Sequence, residues 1–229
     1  EAVQSSALDR SKYRCITDSQ ALLQVCDAIR TAGAFAWDTE TTGLDPTTAD
    51  LVGISLAWGP GEAVYVPIGH VDAEGVRRPD QIPTAATKSL LGRLLTDDRL
   101  QRFAQNWKFD ARVLMTHGWE VLAPTGDPMI AAHLLDAVDR NYGLDALARK
   151  HLNHAMIPFA EALGDRPNFG AVDLPEATRY AAEDADATLR LAIGLAQAVE
   201  AADLNRVYRT MELPLSRVLV RMEAHGIRL

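Results

Sequence analysis

The chain of 229 residues carries only two cysteines, Cys15 and Cys26. Two thiols without a neighbouring ligand pattern frame neither a disulfide scaffold nor a zinc centre, and they suit a reducing, cytoplasmic setting. No stretch approaches the roughly 18 uninterrupted apolar residues of a membrane span, and no signal-peptide pattern is present, so no membrane partner is expected. Internal repeats and low-complexity tracts are absent as well. Positive charge is in deficit, with 23 Lys and Arg against 31 Asp and Glu and a net charge of −8. Proteins that coat duplex nucleic acid draw affinity from many basic contacts to phosphate, so the balance argues against that class. At 48% apolar the chain can bury a full core. It opens on Glu1 rather than Met, which reads as a piece cut from something longer.

Against these absences stand three short acidic clusters: Asp38-Thr39-Glu40, Asn106 to Asp110, and Tyr180 to Asp184. Ala34-Phe35-Ala36-Trp37 reads as a buried strand, and the period of two places Asp38 and Glu40 on one face at its end. In the other clusters the i, i+4 spacing predicts Asn106 stacked on Asp110 and Tyr180 stacked on Asp184 along helix faces. If the three faces meet, Asp38, Glu40, Asp110 and Asp184 bring about four negative charges to one place, which two divalent cations would balance. Oxygen-only ligands select hard ions, Mg²⁺ or Mn²⁺. The implied chemistry is two-metal phosphoryl transfer.

The rest of the chain reads as α/β. Residues 19–32 have helical apolar spacing and end at Gly33, and Cys26 falls on the buried face of this helix. Strands are expected near 34–39, 51–58 and 62–68 as an antiparallel meander, followed by helix 84–96, strand 101–104 and the helix bearing Asp110. Asp127 before Pro128 reads as the cap of a further helix. The remainder reads as helices 144–152, 175–199 and 203–225, with Asp173 and Glu176 as a capping box and 157–175 as irregular. Glu183 and Asp186 point to other helix faces than Asp184, and His151 with His154 reads as a surface pair.

The order and spelling of the three clusters resemble the Exo I, Exo II and Exo III motifs of the DEDD exonuclease superfamily, tyrosine branch. More closely, the text from Ala34 onward resembles the proofreading domain of bacterial family A DNA polymerases. Leu51-Val52-Gly53-Ile54-Ser55, Gln105-Asn106, Leu144-Asp145-Ala146-Leu147-Ala148 and Tyr180 through Thr188 carry the likeness beyond the motifs. The resemblance implies a ribonuclease-H-like mixed five-stranded sheet flanked by helices. It implies a 3′→5′ exonuclease that uses two metal ions to release nucleoside 5′-monophosphates from single-stranded or frayed DNA 3′ ends. In that pattern Asp38 bridges both metals, Glu40 and Asp184 complete the tighter site, Asp110 holds the second ion, and Tyr180 orients the attacking water. Leu44 matches an apolar wedge and Phe159 a stacking aromatic, Thr41 offers its amide to the terminal sugar, Asn106 contacts substrate or orients its helix, and Arg140 reaches a phosphate. The acidic balance then suits a guest domain whose partner supplies most of the DNA affinity.

Met211-Glu212-Leu213-Pro214-Leu215 and Met222 to Ile227 resemble the start of a polymerase domain, which divides the chain into an exonuclease domain over 1–207 and a truncated polymerase start over 208–229. The nucleotidyl-transfer motifs are missing from this stretch, so DNA synthesis is not expected of it. Two alternatives stand beside this reading: a ribonuclease D-like enzyme trimming RNA 3′ ends, and a catalytically silent DNA-binding spacer domain.

Overall fold

A computed structural model describes residues 8–226. Five strands form one mixed sheet in the order β1-β4-β3-β2-β5. They are β1 (Arg14–Cys15), β2 (Ala34–Thr41), β3 (Leu51–Gly59), β4 (Glu62–Pro67) and β5 (Gln101–Phe103). The central β2, β3 and β4 are the antiparallel meander that the turn signals predicted, while β1 lies parallel to β4 and β5 parallel to β2. This is the mixed sheet flanked by helices expected of a ribonuclease-H-like fold.

Strand alternation gives the two faces different jobs. Phe35 and Trp37 point to one side, where they join α1 (Ser19–Ala32), α2 (Thr84–Leu95) and α3 (Trp107–Thr116) in the main core through Leu22, Cys26, Ile29, Leu91, Leu94 and Val113. Both aromatics are fully buried, and truncating Trp37 to alanine would cost about 3–5 kcal/mol. Ala36, Ala57 and Ala63 point to the other side and meet Ala182, Ala185, Leu189 and Ala192 of the long helix α7 (Leu174–Ala201). The alanines on both surfaces let α7 lie close to the strands. That close approach carries the acid of the third cluster to those of the first.

The local signals are mostly realised. Asp18 accepts from the amides of Gln20 and Ala21 to cap α1, and Gly33 ends it in the left-handed region at φ 73°. Three expectations need correction. Asp173 precedes α7 but its side chain makes no cap bond. Arg166 draws both carboxylates of the expected capping box instead, Asp173 at 3.3 Å and Glu176 at 2.9 Å. Helix 144–152 is a single α turn, α5 (Leu144–Leu147), followed by a π turn (Ala148–Leu152) that Asn153 closes at φ 51°. Helix 203–225 is likewise broken into α8 (Asn205–Val207), a π turn (Tyr208–Glu212) and α9 (Leu213–His225). Pro214 has no N–H to continue the i→i−4 ladder, and the wider turn absorbs the missing bond. Between these elements lie α4 (Pro128–Leu135) and α6 (Phe159–Leu163).

The segment read as a polymerase start packs onto this body as far as it is described. Tyr208, Leu213, Ser216 and Val220 are all buried, and Val220 belongs to the main core. Residues 227–229 lie outside the described residues.

Candidate active site

The site forms where the C-terminal half of β2 passes under α7. Asp38 and Glu40 lie on the face toward that helix, paired across the ladder with Ser55 and Gly53. Gly53 is required there, because a Cβ would sit 2.1 Å from the Tyr65 hydroxyl oxygen, so the bare backbone lets the Tyr65 ring cross. Asp184 descends from α7. One carboxylate oxygen from each of Asp38, Glu40 and Asp184 lies within 4.8 Å of the others.

Asp110 approaches from α3, on the opposite side of β2. Its carboxylate accepts from the Thr39 amide at 3.1 Å and from the Thr39 hydroxyl. The same alternation that aims Asp38 and Glu40 at α7 aims Thr39 at Asp110. Tyr180 and Asp184 do share a face of α7, one turn apart. Asn106 departs from its expectation. It stands before α3 rather than within it, at φ 53° in the left-handed region, and its side chain makes no cap bond. The i, i+4 rule fails because residue 106 is not helical. Asparagine tolerates this backbone better than most residues, which lets the chain turn from β5 into α3.

Electrostatically the site is unbalanced. All four acids are held well above the ordinary carboxylate range, in each case first by burial. Other acids add to this: Asp184 on Asp38; Asp38, Asp184 and Asp110 on Glu40; and Asp38 on Asp110. Asp184 is raised further by Glu183 and by Asp145, which stands exposed at the start of α5, while Tyr180 pulls it down. The Tyr180 phenol is itself raised by burial and then by Asp184, Glu40 and Asp38. Glu40 Oε1 is buried with no hydrogen-bond partner. A buried, unpartnered oxygen among three other carboxyls calls for a cation, and an oxygen-only donor set fits a hard divalent ion.

Residues 13–200 match the family described as 3′-5′ exonuclease. The chain belongs to the 3′-5′ exonuclease family of family A DNA polymerases. Exonucleases of this family are metal-dependent, and the acidic cluster such ions need is present. DNA polymerase I of Rhizobium leguminosarum is 38% identical across 99% of this chain, which covers 24% of that relative. The chain therefore spans about a quarter of the length of the curated relatives it matches. Among solved structures it is similar to Pol1 of M. smegmatis in complex with DNA primer-template and dNTP (TM-score 0.72, 21% identity, 94% of this chain and 32% of that one). It is also similar to Escherichia coli RNase D (TM-score 0.69, 21% identity, 94% and 51%), so the exonuclease fold is shared with ribonucleases.

The remaining residues that the exonuclease motifs suggested are distributed unevenly about the acids. Phe159 begins α6 and its half-exposed ring stacks on Phe169 with ring centres 6.2 Å apart and planes at 16°, and its centre lies 6.0 Å from that of Tyr180 at 68°. Phe169, fully buried inside the stretch read as irregular, is thus the floor under both rings, 5.5 Å from Tyr180. No periodic signal marked it, since it sits in a short 3₁₀ turn. His70 extends the string: its Nδ1 donates to the Val172 carbonyl, so its Nε2 accepts from Tyr65, and burial lowers its pKa to about 4. Leu44 projects from the β2–β3 loop at 92% exposure, and Thr41 bends that loop by donating its hydroxyl to the Gly43 carbonyl. Arg140 is exposed on the loop between α4 and α5, which the Gln105 amide ties to the start of α3 through the Tyr142 carbonyl. Glu183 and Asp186 do face away from Asp184, as expected. His154 is a correction, because its Nε2 lies 2.6 Å from the buried Glu183 carboxylate, leaving only His151 on the surface.

Proposed function

We propose that this chain hydrolyses the 3′-terminal phosphodiester of DNA with two divalent ions, Mg²⁺ or Mn²⁺, and releases nucleoside 5′-monophosphates. The observation that carries the reading is the trio of Asp38, Glu40 and Asp184 oxygens within 4.8 Å of one another. Asp38, Glu40 and Asp184 would hold one ion, and Asp38 together with Asp110 would hold the other. When bound, the ions supply positive charge against the phosphate oxygens and make water a competent nucleophile near neutral pH. Tyr180 orients the nucleophile when substrate arrives; its raised pKa keeps it a phenol, so it is a donor and not a base.

The substrate is a single-stranded or frayed DNA 3′ end. Leu44, already in solvent, wedges against the terminal base, and Phe159, held flat by Phe169, stacks on a base and reads none in particular. Thr41 presents its amide to the terminal sugar, Asn106 marks the substrate side of α3, and Arg140 reaches a phosphate from its loop. Residues 208–229 lead toward a polymerase domain, as in the curated relatives, in a cytoplasmic setting. No described helix is long and apolar enough to cross a membrane.

The test is a 5′-labelled oligonucleotide, as DNA and as RNA, with Mg²⁺, with Mn²⁺, and with excess chelator. Stepwise shortening of the DNA from its 3′ end, abolished by chelator, is the expected result. Internal cuts or metal-independent cleavage would overturn the reading, and preferential loss of the RNA would move it to the ribonuclease D-like alternative.

A further inference from the structure

Asp127, set aside from its sequence context as the cap of one helix, serves two. Its carboxylate is 1% exposed and receives four backbone amides. Oδ1 accepts from Met129 at 2.8 Å, Ile130 at 3.4 Å and Asn106 at 3.2 Å, and Oδ2 accepts from Trp107 at 3.2 Å. The first two amides open α4. The last two open α3, the helix that carries Asp110. That helix has no side-chain cap of its own, because Asn106 stands in the left-handed region with its side chain making no cap bond. Its first amides are therefore satisfied by a residue 20 positions away in sequence.

Asp127 is itself held. Its amide donates to the Tyr208 hydroxyl at 2.8 Å, and that hydroxyl donates back to the Asp127 carbonyl at 3.1 Å. The preceding residue closes onto the end of β5, where the Gly126 carbonyl accepts from the Ala104 amide at 3.3 Å. Trp107 is tied at its other end as well, its indole N–H donating to the Ser216 hydroxyl of α9 at 2.8 Å. The start of α3 is thus fixed by a buried carboxylate that belongs to neither the helix nor the acid cluster.

We propose that Asp127 is a positioning residue for the exonuclease reaction, setting the start of α3 so that Asp110 meets Asp38 and Glu40 at the spacing a metal ion needs. This rests on the reading of Asp110 as a metal ligand. One turn of helix separates the pinned amides from Asp110, too short a lever to absorb a slip. A displacement of about 1 Å at a reacting group costs on the order of 100-fold in rate.

The deciding variant is Asp127→Asn. An asparagine keeps Oδ1 for the α4 amides and for Asn106 but turns an NH₂ toward the Trp107 amide, donor against donor, so it removes the pin on the first residue of α3 and spares α4. Binding of Mn²⁺ to the substrate-free protein is measured by calorimetry alongside Trp107 amide exchange, with Asp110→Ala as reference and Asp18→Ala as a cap removed far from the acids. Asp127→Asn should weaken the same Mn²⁺ event that Asp110→Ala abolishes by about 10-fold or more, with faster Trp107 exchange, while Asp18→Ala leaves Mn²⁺ binding unchanged. Lower thermal stability with unaltered Mn²⁺ affinity would make Asp127 merely structural and overturn the proposal. Should Asp127→Asn fail to fold, Tyr208→Phe decides, since it loosens only the backbone of Asp127, and an unaltered Mn²⁺ affinity there is equally fatal. If Asp110→Ala binds Mn²⁺ as the unaltered chain does, the reading of Asp110 fails, and the positioning proposal with it, in a manner distinct from the first.

Discussion

Helix α7 buries three carboxylates within four residues, and their surroundings are opposite. Glu183 and Asp186 are fully buried and fully served. Glu183 takes Arg10 at 2.7 Å, His154 at 2.6 Å and the Ile157 amide at 2.8 Å. Asp186 takes Arg190 at 2.7 Å, the Tyr13 hydroxyl at 3.0 Å and the Gly61 amide at 3.2 Å. Asp184, between them, faces Asp38 and Glu40 and has, among the described residues, neither a basic partner nor a backbone amide on its carboxylate. Burial therefore does not mark a functional acid in this molecule. The mark is a charge that the fold concentrates and does not neutralise, which a cation must complete.

The comparison breaks most visibly by mutation at its unserved member. Asp184→Asn should lower the exonuclease rate at least about 10³-fold, some 4 kcal/mol of transition-state stabilisation. The metal-free protein should nevertheless melt no lower, because one of several repelling charges has gone. A large fall in melting temperature would show that Asp184 is a structural acid like its neighbours.

Removing a served acid should do the reverse. Asp186→Ala removes the buried carboxylate that Arg190 holds at 2.7 Å and takes that acceptor from the Tyr13 hydroxyl and the Gly61 amide, at a cost of about 3–5 kcal/mol in denaturant unfolding. Activity of the fraction still folded should stay within a few-fold of the parent. A loss as deep as that of Asp184→Asn would erase the distinction.

The same contrast can be sharpened by pH. Asp38, Glu40, Asp110 and Asp184 titrate above their ordinary values of 3.8 for aspartate and 4.5 for glutamate. For an acid whose folded pKa is raised, the folded state binds protons more tightly, so the contribution is present below the ordinary value and lost as pH climbs through the raised one. Metal-free protein should lose stability as pH rises above about 4, and saturating Mn²⁺ should remove that slope. His70 works in the opposite sense between its ordinary 6.5 and about 4, where falling pH costs stability. A metal-free melting temperature that does not fall as pH rises above about 4 would contradict the unbalanced site.

The smallest effects should come from groups that touch substrate or water rather than hold charge. Tyr180→Phe removes one orienting hydroxyl and should cost less than Asp184→Asn, about 10- to 100-fold. Leu44→Ala, at a side chain in open solvent, should weaken cleavage of single strands only a few-fold and leave Mn²⁺ binding intact, since about 1–2 kcal/mol of apolar contact is at stake. Tyr180→Phe more damaging than Asp184→Asn would invert the ranking.

The sequence by itself determined the elements that lie along one stretch of chain. Alternation in β2 placed Asp38 with Glu40, helical spacing placed Tyr180 with Asp184, and Asp18 with Gly33 bounded α1, because each signal depends on neighbours a few residues apart. Everything that depends on two distant stretches was decided by the tertiary structure. Thr39 receives Asp110 only because α3 packs under β2, and Phe169 becomes a floor only because a 3₁₀ turn folds against α7. His154 is half-buried because Glu183 lies opposite it, and Arg166 dissolves a capping box that local spacing favoured. Asn106 left the helix, and Asp127 came to serve two helices, because the β5–α3 turn and the α4 start were brought to one carboxylate. Short-range patterns fix which way a side chain points; only the packed fold fixes what it meets.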